Sequence, residues 1–504
     1  MGKFKAVSAL FIALLFTGCC IDENGQIAFG DACEIKPINA TFKCGSASCS
    51  GMSAYNASGI NIWNYKNSGS IGVDFSVSMR NVNKNIMVVF TNEGSGSVAM
   101  PSIHVNTALK NEIRSHDEYE DEVLKFKEPE FMMDEPIELI ERSGDEAPSY
   151  KVWNEGNKYN WYSPDDSAIR ATTLRKQLKV DGRTINIWVE NSEYANGMFG
   201  AVEVGDISSS MATIYTSVVG VAGEPWGAHK YINLIASDQP LDIVFIRLDG
   251  AGGYFHGRNN YIKLANSKSN EAVAIFVDTR MGTSYTKSTI AHELTHAINF
   301  YQRYVLMGSG NGYSTFLNEM TAVMMEDVIS GKISYNSASS RYRSWLSMPL
   351  YHRDFADWKY LDNTNYATAA SFGSFLLRQY GINFYKTLLR TSGSSTDALD
   401  RAIKTYDDGG LAKVLRNWGA SIAMFPAAGT PKGFGYPARS NDNGFNLVAF
   451  DGDVHKSYRR LPASSPSTLA PRAHFPFLRQ PTQSYTYEEQ FRVPSGVSVS
   501  IVVK

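Results

Sequence analysis

The segment STIAHELTHAINFYQRY, residues 288–304, carries the side chains best suited to chemistry. His292 and His296 stand four positions apart, and Glu293 directly follows the first of them. On a helix with this His-Glu-x-x-His spacing, both imidazoles project from one face and can bind a single Zn²⁺, while the glutamate lies beside the ion. The alternative is an ordinary exposed helix face that happens to carry two histidines.

The residues around the motif favour a helix with one packed side. Apolar side chains recur through the segment at helical spacing: Ile290, Leu294, Ala297 or Ile298, and Tyr301. The glutamate of the motif is then placed to take a proton from a water whose pKa the metal lowers to about 7.

A hydrolytic zinc site needs a third protein ligand and one open position. In TFLNEMTAVMMEDVISG, Glu319 lies within an apolar run that predicts a second helix. A carboxylate in such a run is costly unless it is paired or binds a cation, and the alternative is a glutamate on the outer face of the helix. No cysteine follows Cys49 and no third histidine follows His296 at short spacing, so we expect Glu319 to be the third ligand.

A His-Glu-x-x-His helix followed by Asn-Glu on a second helix resembles the gluzincin metallopeptidases, and within them the hyicolysin family of bacterial secreted metallopeptidases. The matching stretches are GEPWGAH, DIVFIRLDGAGGYFHG, SNEAVAIFVDTRMG, AHELTHAINFYQR and FLNEMTAVMMED. The resemblance implies a thermolysin-like α+β catalytic domain that hydrolyses peptide bonds at neutral pH with a zinc-activated water. It also implies that His292, His296 and Glu319 are the zinc ligands and that Glu293 is the general base and then the general acid.

One position departs from the thermolysin-like pattern, which has an aspartate four residues after the ligand glutamate to orient the first histidine. Here that position is Val323. Because a carboxylate is still needed to fix the imidazole tautomer, the nearest candidates are Glu326 and Asp327. The alternative is that both are solvated charges at a helix end.

Related gluzincin domains carry a tyrosine at the place of Tyr366, which makes it our candidate donor to the oxyanion of the reaction. The alternative is a packing role, since the chain has 27 tyrosines. His229 and His256 could touch substrate, although a hydrogen-bonded structural role suits both better. We expect substrate to pair, as an extended strand, with an edge strand near residues 273–277.

The remaining chain must position these helices. Residues 53–195 contain β-branched and aromatic stretches bounded by turn residues, which predict a mainly β N-terminal domain that acts as a scaffold or binds a polymer. Residues 196–430 mix strands with helices and are expected to form the α+β catalytic domain. Residues 431–504 are expected to be a Pro-rich linker and a C-terminal β segment, either a small module or a strand that docks on the core.

The N-terminal residues have the pattern of a secretory signal. Lys3 and Lys5 precede an apolar run and then small residues, so residues 1–18 are expected to be a signal peptide. The ending LFTGC resembles the lipobox of bacterial lipoproteins, although Phe16 stands where leucine is usual. We therefore expect a lipid anchor at Cys19, and the alternative is plain secretion.

Residues 19–52 form a Cys-rich anchor segment that contains all five cysteines of the chain. Lipidation of Cys19 leaves four, for which three pairings exist. We expect Cys44 to pair with Cys49 and Cys20 with Cys33, since exported proteins can hold disulfides.

These features predict an exported zinc metalloendopeptidase that acts on proteins or peptides, as an outer-membrane or cell-surface lipoprotein or else in secreted form. A net charge of −2 gives no reason to expect nucleic acid as a partner. One alternative is a zinc hydrolase that does not cut proteins. Another is a binding protein or adhesin on a peptidase-derived fold, which would not need to keep Glu293.

Overall fold

The computed structural model describes residues 20–21, 27–28, 37–103, 138–141, 152–163, 168–248, 250–347, 351–358 and 363–504. The expected signal peptide, Cys19 and Cys33 lie outside this part of the chain. Within it, no helix combines the length and the apolar composition that crossing a membrane requires.

The strands fall into three groups along the chain. The first group is β1 (Cys20–Ile21), β2 (Ile27–Ala28), β3 (Asn39–Cys44), β4 (Ala47–Ser48), β5 (Ser53–Ala57), β6 (Ile60–Lys66), β7 (Val73–Arg80), β8 (Ile86–Asn92), β9 (Val98–Ala99) and β10 (Ser102–Ile103). The second is β11 (Lys158–Tyr162), β12 (Ile169–Val180), β13 (Arg183–Glu190), β14 (Leu241–Ile246), β15 (Gly253–Phe255) and β16 (Val273–Asp278). The third is β17 (Arg439–Asp442), β18 (Phe445–Leu447), β19 (Thr468–Leu469), β20 (His474–Arg479), β21 (Thr486–Val493) and β22 (Val497–Val503).

The described helices lie mostly between the second and third groups of strands. They are α1 (Asn191–Ala195), α2 (Ala201–Ala222), α3 (Thr283–Asn299), α4 (Thr315–Ile333), α5 (Ser337–Ser347), α6 (Asn363–Tyr380), α7 (Ile382–Arg390), α8 (Thr396–Lys404), α9 (Gly410–Ala420) and α10 (Gly452–His455). A π-helical stretch, Phe300–Val305, continues directly from α3. The predicted α+β fold class is confirmed.

A six-stranded sheet in the order β11-β12-β13-β14-β16-β15 supports the helices. Strands β13, β14 and β16 run parallel, and β14 and β16 are buried along their whole length, which explains their continuous apolar sequences. One face of the sheet packs against α2 and α3 in the largest apolar core of the protein. The other face carries an aromatic cluster that includes Trp161, Trp188 and Phe276.

Two five-stranded sheets pack face to face as a β-sandwich, in the orders β10-β21-β7-β3-β4 and β20-β8-β22-β6-β5. Side chains from both sheets, such as Phe75, Phe90 and Phe491, form the core between them. The second sheet also packs its outer face against α9 and the residues that follow it. Burial on both faces explains the continuous apolar run of β8, whereas β22 buries two serines, Ser498 and Ser500, on one face.

The sheet topology differs from the expected division of the chain at residues 195 and 431. Strands β11 to β13, expected in the N-terminal domain, belong to the sheet that carries the catalytic helices. Strands β20 to β22, expected to be either a small module or a strand that docks on the core, complete the sandwich with residues 39–103. Alternating apolar residues predict where strands occur, whereas the partners of each strand depend on long-range packing. Cys44 and Cys49 form a disulfide across the β3–β4 hairpin.

Candidate active site

Helix α3 positions the His-Glu-x-x-His motif in the interior of the protein. Its apolar face, which includes Ile290 and Leu294, packs into the main core, and every residue from 288 to 299 is buried. His292 and His296 lie one turn apart with ring centroids separated by 4.8 Å. The packed helix therefore presents both imidazoles to one point.

Helix α4 brings Glu319 to that same point. Its Oε2 lies 3.2 Å from His292 Nε2 and 3.5 Å from His296 Nε2, and its side chain is only 3% exposed. The candidate ligand atoms of the three residues all lie within 4.8 Å of one another. Sequence reasoning selected these three residues, and the structure brings them together.

The three residues fit a zinc ion. Zinc bonds of 2.0–2.3 Å in a tetrahedron place neighbouring ligand atoms about 3.3–3.7 Å apart, which matches the separations around Glu319. The 3.5 Å separation leaves His296 Nε2 without a hydrogen bond in the described part of the chain, although the atom is buried. A bound cation would satisfy this nitrogen.

The charge state of Glu319 also suits a ligand. Burial acts to raise the pKa of Glu319, but His296 and then His292 outweigh burial and hold the pKa below its ordinary value. The carboxylate is therefore ionised at neutral pH, as metal binding requires.

Glu326 supplies the carboxylate that orients His292. Its Oε1 lies 2.6 Å from His292 Nδ1, and it also accepts hydrogen bonds from Ser288 Oγ at 3.1 Å and from Arg341 Nη2 at 3.1 Å. Burial works to raise the pKa of Glu326, yet Arg341 and the bond to His292 lower it to about 2. Since an ionised carboxylate can only accept, His292 donates its Nδ1–H to Glu326, and Nε2 is the nitrogen that would bind a cation held beside Glu319.

Asp327, the other expected candidate, faces a different neighbour. It accepts hydrogen bonds from Arg378 Nη1 at 2.5 Å and from Ser374 Oγ at 2.7 Å, both on α6. Both partners of the ion pair are fully buried. The structure thus places Glu326 against His292 and Asp327 in a buried pair between two helices.

Arg341 and Ser288 complete the surroundings of Glu326, and sequence reasoning missed both. Arg341 lies on α5, in the serine-rich segment SASSRYRSWLS, where a buried arginine carries no spacing signal that relates it to the motif. Ser288 lies one turn before His292 on the same helix face, so helical periodicity could have identified it.

Glu293 is fully buried on α3 and lies beneath the edge strand β15. A Cβ atom at Gly253 would stand 2.9 Å from Glu293 Oε1 and 2.6 Å from Thr289 Cγ2, so only glycine lets the strand pass this close to the helix. The candidate base therefore lies directly against the backbone of the outermost strand.

The expectation that residues 273–277 form the free edge of the sheet is wrong. Strand β16 pairs with β14 on one side and with β15 on the other. The glycine-rich stretch before His256 folds back as β15, Gly253–Phe255, and becomes the edge strand in place of β16.

Tyr366 lies near the site on α6 and is half-buried. Its ring stands 4.8 Å from that of Trp358, and the Arg341 guanidinium lies 5.4 Å from its centroid.

His229 and His256 both bond to backbone. His229 Nε2 donates to Ile235 O at 2.8 Å, and His256 Nδ1 accepts from the Arg258 N–H at 3.3 Å. Both contacts match the structural role that we favoured.

The profile of the family described as peptidase M30 matches residues 166–504, more than half of the chain. The chain belongs to the peptidase M30 family. This M30 peptidase is also 24% identical, over 366 residues, to the neutral metalloprotease ShpI of Staphylococcus hyicus, covering 68% of this chain and 76% of that protein. A domain of unknown function (DUF8571) matches residues 40–105, within the β-sandwich.

Two solved structures are more distantly similar to this M30 peptidase. One is an M1 zinc metallopeptidase from Deinococcus radiodurans, with a TM-score of 0.34 and 10% identity, covering 72% of this chain and 93% of that one. The other is an aminopeptidase N family protein from Idiomarina loihiensis, with a TM-score of 0.33 and 11% identity, covering 87% and 97%.

The family assignment confirms the resemblance that the sequence motifs indicated. The M30 peptidase is a metallopeptidase, a hydrolase that acts on peptide bonds, and its substrates are proteins or peptides. The cluster of His292, His296 and Glu319 is the group of potential ligands that the described residues offer for its metal.

Proposed function

We propose that this M30 peptidase is an exported zinc endopeptidase whose metal is held by His292, His296 and Glu319. The observation that carries the proposal is the buried convergence of the ligand atoms of these three residues within 4.8 Å of one another, with Glu293, which follows His292 on α3, also fully buried. Two nitrogens and one carboxylate oxygen, with a fourth position left open, are the donor set of many hydrolytic zinc sites.

When bound there, zinc acts as a Lewis acid that activates water near neutral pH and polarises the scissile carbonyl group. We assign the proton transfers to Glu293, which takes a proton from the attacking water and then delivers it to the leaving amine. Glu326 keeps the His292 proton on Nδ1. Tyr366 is our proposed donor to the developing oxyanion.

We propose that the substrate backbone pairs with the edge strand β15, Gly253–Phe255, rather than with β16. The contact between Gly253 and Glu293 supports this, because a peptide on β15 would lie beside the base. The strand carries no acidic side chain that could capture the free amino terminus of a substrate. The strand itself therefore offers no anchor of the kind that an aminopeptidase needs.

The proposal of export rests on the N-terminal signal pattern and on the Cys44–Cys49 disulfide, which suits an oxidising compartment. We further propose lipidation at Cys19, followed by the Cys-rich segment. A Cys19→Ser variant expressed in a bacterial host is expected to move from the membrane fraction to the soluble exported fraction. An unchanged distribution would exclude this anchor.

The deciding experiment compares the chain from Cys20 onward with its Glu293→Gln variant. Metal content per chain and hydrolysis of unfolded casein are measured with and without a chelator. Glu488→Gln, an equal charge change on an exposed strand of the sandwich, is the matched control. We expect one zinc per chain in all three proteins, chelator-sensitive cleavage by the wild type and the control, and no cleavage by Glu293→Gln.

Other results would revise the proposal in distinct ways. Zinc in every protein without cleavage by any of them would favour a non-peptidase hydrolase or a binding protein. A chain that binds no zinc would refute the assignment of the ligands. Cleavage by Glu293→Gln at the wild-type rate would remove Glu293 from the mechanism.

A further inference from the structure

A cleft of about 860 Å³ lies between the β-sandwich and the helical part of the catalytic region. One wall comes from the first turns of α6, including Thr364 and Thr368, and the opposite wall includes Thr468 of β19. A volume of this size is typical of sites that hold a ligand. Neither the metal ligands nor Glu293 line the cleft.

The permanently charged side chains that line the cleft sum to a net charge of zero, two arginines and two aspartates. Arg472 and Asp354 form a two-pronged ion pair in the wall, with Arg472 Nε 3.0 Å from Asp354 Oδ1 and Arg472 Nη2 2.5 Å from Oδ2. The other permanently charged lining residues, Arg353 and Asp357, are of opposite sign. A cleft without net charge does not select phosphate or nucleic acid, and it suits a neutral ligand that offers hydrogen bonds.

The lining combines aromatic rings with hydrogen-bonding groups. Trp345, Phe355 and Trp418 contribute the rings. His474 is 1% exposed, and its Nδ1 is bonded to Thr91 Oγ1 at 3.0 Å. The wall also contains neutral polar side chains, among them Thr364, Asn365 and Thr368. A peptide, with its amides and mixed side chains, can match this combination of rings and hydrogen-bonding groups.

Residues of the cleft lie next to residues near the candidate active site. Tyr366, whose ring lies by Arg341, stands between the cleft residues Asn365 and Thr368 on α6. Phe355 of the cleft packs 4.7 Å from Phe316, which lies one turn before Glu319 on α4. Helix α6 therefore carries both residues of the cleft and Tyr366, which we place near the candidate active site.

We propose that this cleft is an exosite that binds an extended, uncharged segment of a protein substrate, remote from the bond that is cleaved. The inference rests on the proposed endopeptidase function, because an exosite serves only a substrate longer than the active-site cleft. Its binding energy would lower the KM for proteins and leave the hydrolysis of short peptides unchanged.

The test fills the cleft from each wall separately. Thr368→Trp places a large ring on the α6 wall, and Thr468→Trp does so on the sandwich wall. Thr216→Trp on α2 is the matched control, because Thr216 and Thr368 each bond their hydroxyl to the carbonyl four residues earlier, at 2.8 Å and 2.7 Å. The zinc-loaded full chain and each variant are assayed on unfolded casein and on a short fluorogenic peptide that spans only the active site.

We expect both cleft variants to raise the KM for casein about tenfold at unchanged kcat, and to leave kcat/KM for the peptide unchanged. The control should change neither. Thermal melts establish whether each variant is folded. Because the two substitutions lie on different walls, either variant alone can test the proposal if the other does not fold. Wild-type kinetics for casein in both cleft variants would overturn the exosite.

An equal loss on casein and on the peptide would also overturn it, because it would mean that the substitutions disturb the active site itself. If the wild type cleaved neither substrate, the proposed endopeptidase function would fail first. That outcome is separate from the failure of the exosite, which requires a wild type that is active on both.

Discussion

Glu326 and Asp327 are adjacent on α4 and face different neighbours. Glu326 follows Glu319 by nearly two helical turns, so both lie on the face that meets α3. Asp327 is rotated about 100° further and meets α6 instead. This rotation could have separated the two candidates from the sequence alone, because only one of them shares a face with the third ligand.

Replacing Glu326 is expected to weaken zinc binding. In Glu326→Gln the neutral amide is a poorer partner for the His292 Nδ1–H than an ionised carboxylate, and Arg341 loses its counter-charge. We expect the zinc affinity to fall about 10–100-fold. Competition titration against a chromophoric chelator measures the affinity, and wild-type affinity in the variant would contradict the role of Glu326.

Asp327→Asn should affect stability instead. The substitution leaves the fully buried Arg378 without its ionic partner, which costs about 3–5 kcal/mol in the free energy of unfolding. Urea denaturation measures the loss, and zinc affinity measured well below the unfolding transition should equal that of the wild type. A loss of zinc affinity as large as that of Glu326→Gln would mean that the two carboxylates are not functionally distinct.

Arg341 shows where sequence reasoning about the site ends. The His-Glu-x-x-His motif is local, so helix geometry alone predicts its convergence. Glu319 is found because a carboxylate in an apolar helix needs a partner. The approach of Arg341 to Glu326 depends on how α5 packs on α4, and no residue spacing encodes that packing.

At the scale of elements, the placement of β15 decides how the site meets a substrate. The sequence predicted a strand near residues 273–277, and this strand forms as β16, Val273–Asp278, although not at the edge of the sheet. It could not predict that three residues of a glycine-rich stretch would cover the edge of β16, because a short strand has no periodicity to detect. The close approach of Gly253 to α3 is visible only in the folded protein.

Gly253→Ala is expected to impair catalysis without loss of metal. The new methyl group would collide with Thr289 and with the Glu293 carboxylate, which must then shift. A displacement of about 1 Å can cost about 100-fold in rate, so we expect kcat/KM to fall on that order at unchanged zinc content.

The matched control for this substitution is Gly205→Ala on α2, where a Cβ meets nothing within 4 Å. The helix should gain roughly 0.5–1 kcal/mol from the substitution, and activity should stay the same. If Gly253→Ala retained full activity, the close contact between β15 and the base would have no catalytic importance.

At the scale of the whole molecule, His474 marks the junction between the sandwich and the helices. It lies on β20, its ring packs 4.9 Å from Trp418 of α9, and burial lowers its pKa to about 3. The imidazole of His474 is therefore neutral where it packs in the junction. The sequence could not predict that β20 joins the sandwich or that His474 lies at this junction. Residues 474 and 91 are far apart in the chain and meet only because β20 pairs with β8.

His474 is expected to make stability depend on pH. The unfolded histidine has a pKa of about 6.5, so below that pH only the unfolded chain binds the proton. The contribution of the neutral His474 to the free energy of unfolding is complete above pH 6.5. It falls by up to about 1.4 kcal/mol per pH unit as the pH falls towards 3. Urea unfolding between pH 7 and 5 should show a steeper loss for the wild type than for His474→Gln. Equal slopes would contradict this assignment.

Strand β22, residues 497–503, lies between β6 and β8, which precede the entire catalytic region in the chain. During synthesis those two strands emerge long before the partner that joins them, and closing so large a loop is slow. The sandwich can therefore close only after the catalytic region, which lies between β8 and β22 in the chain, has been synthesised. Synthesis that stops after residue 430 would therefore leave β6 and β8 without the strand that lies between them.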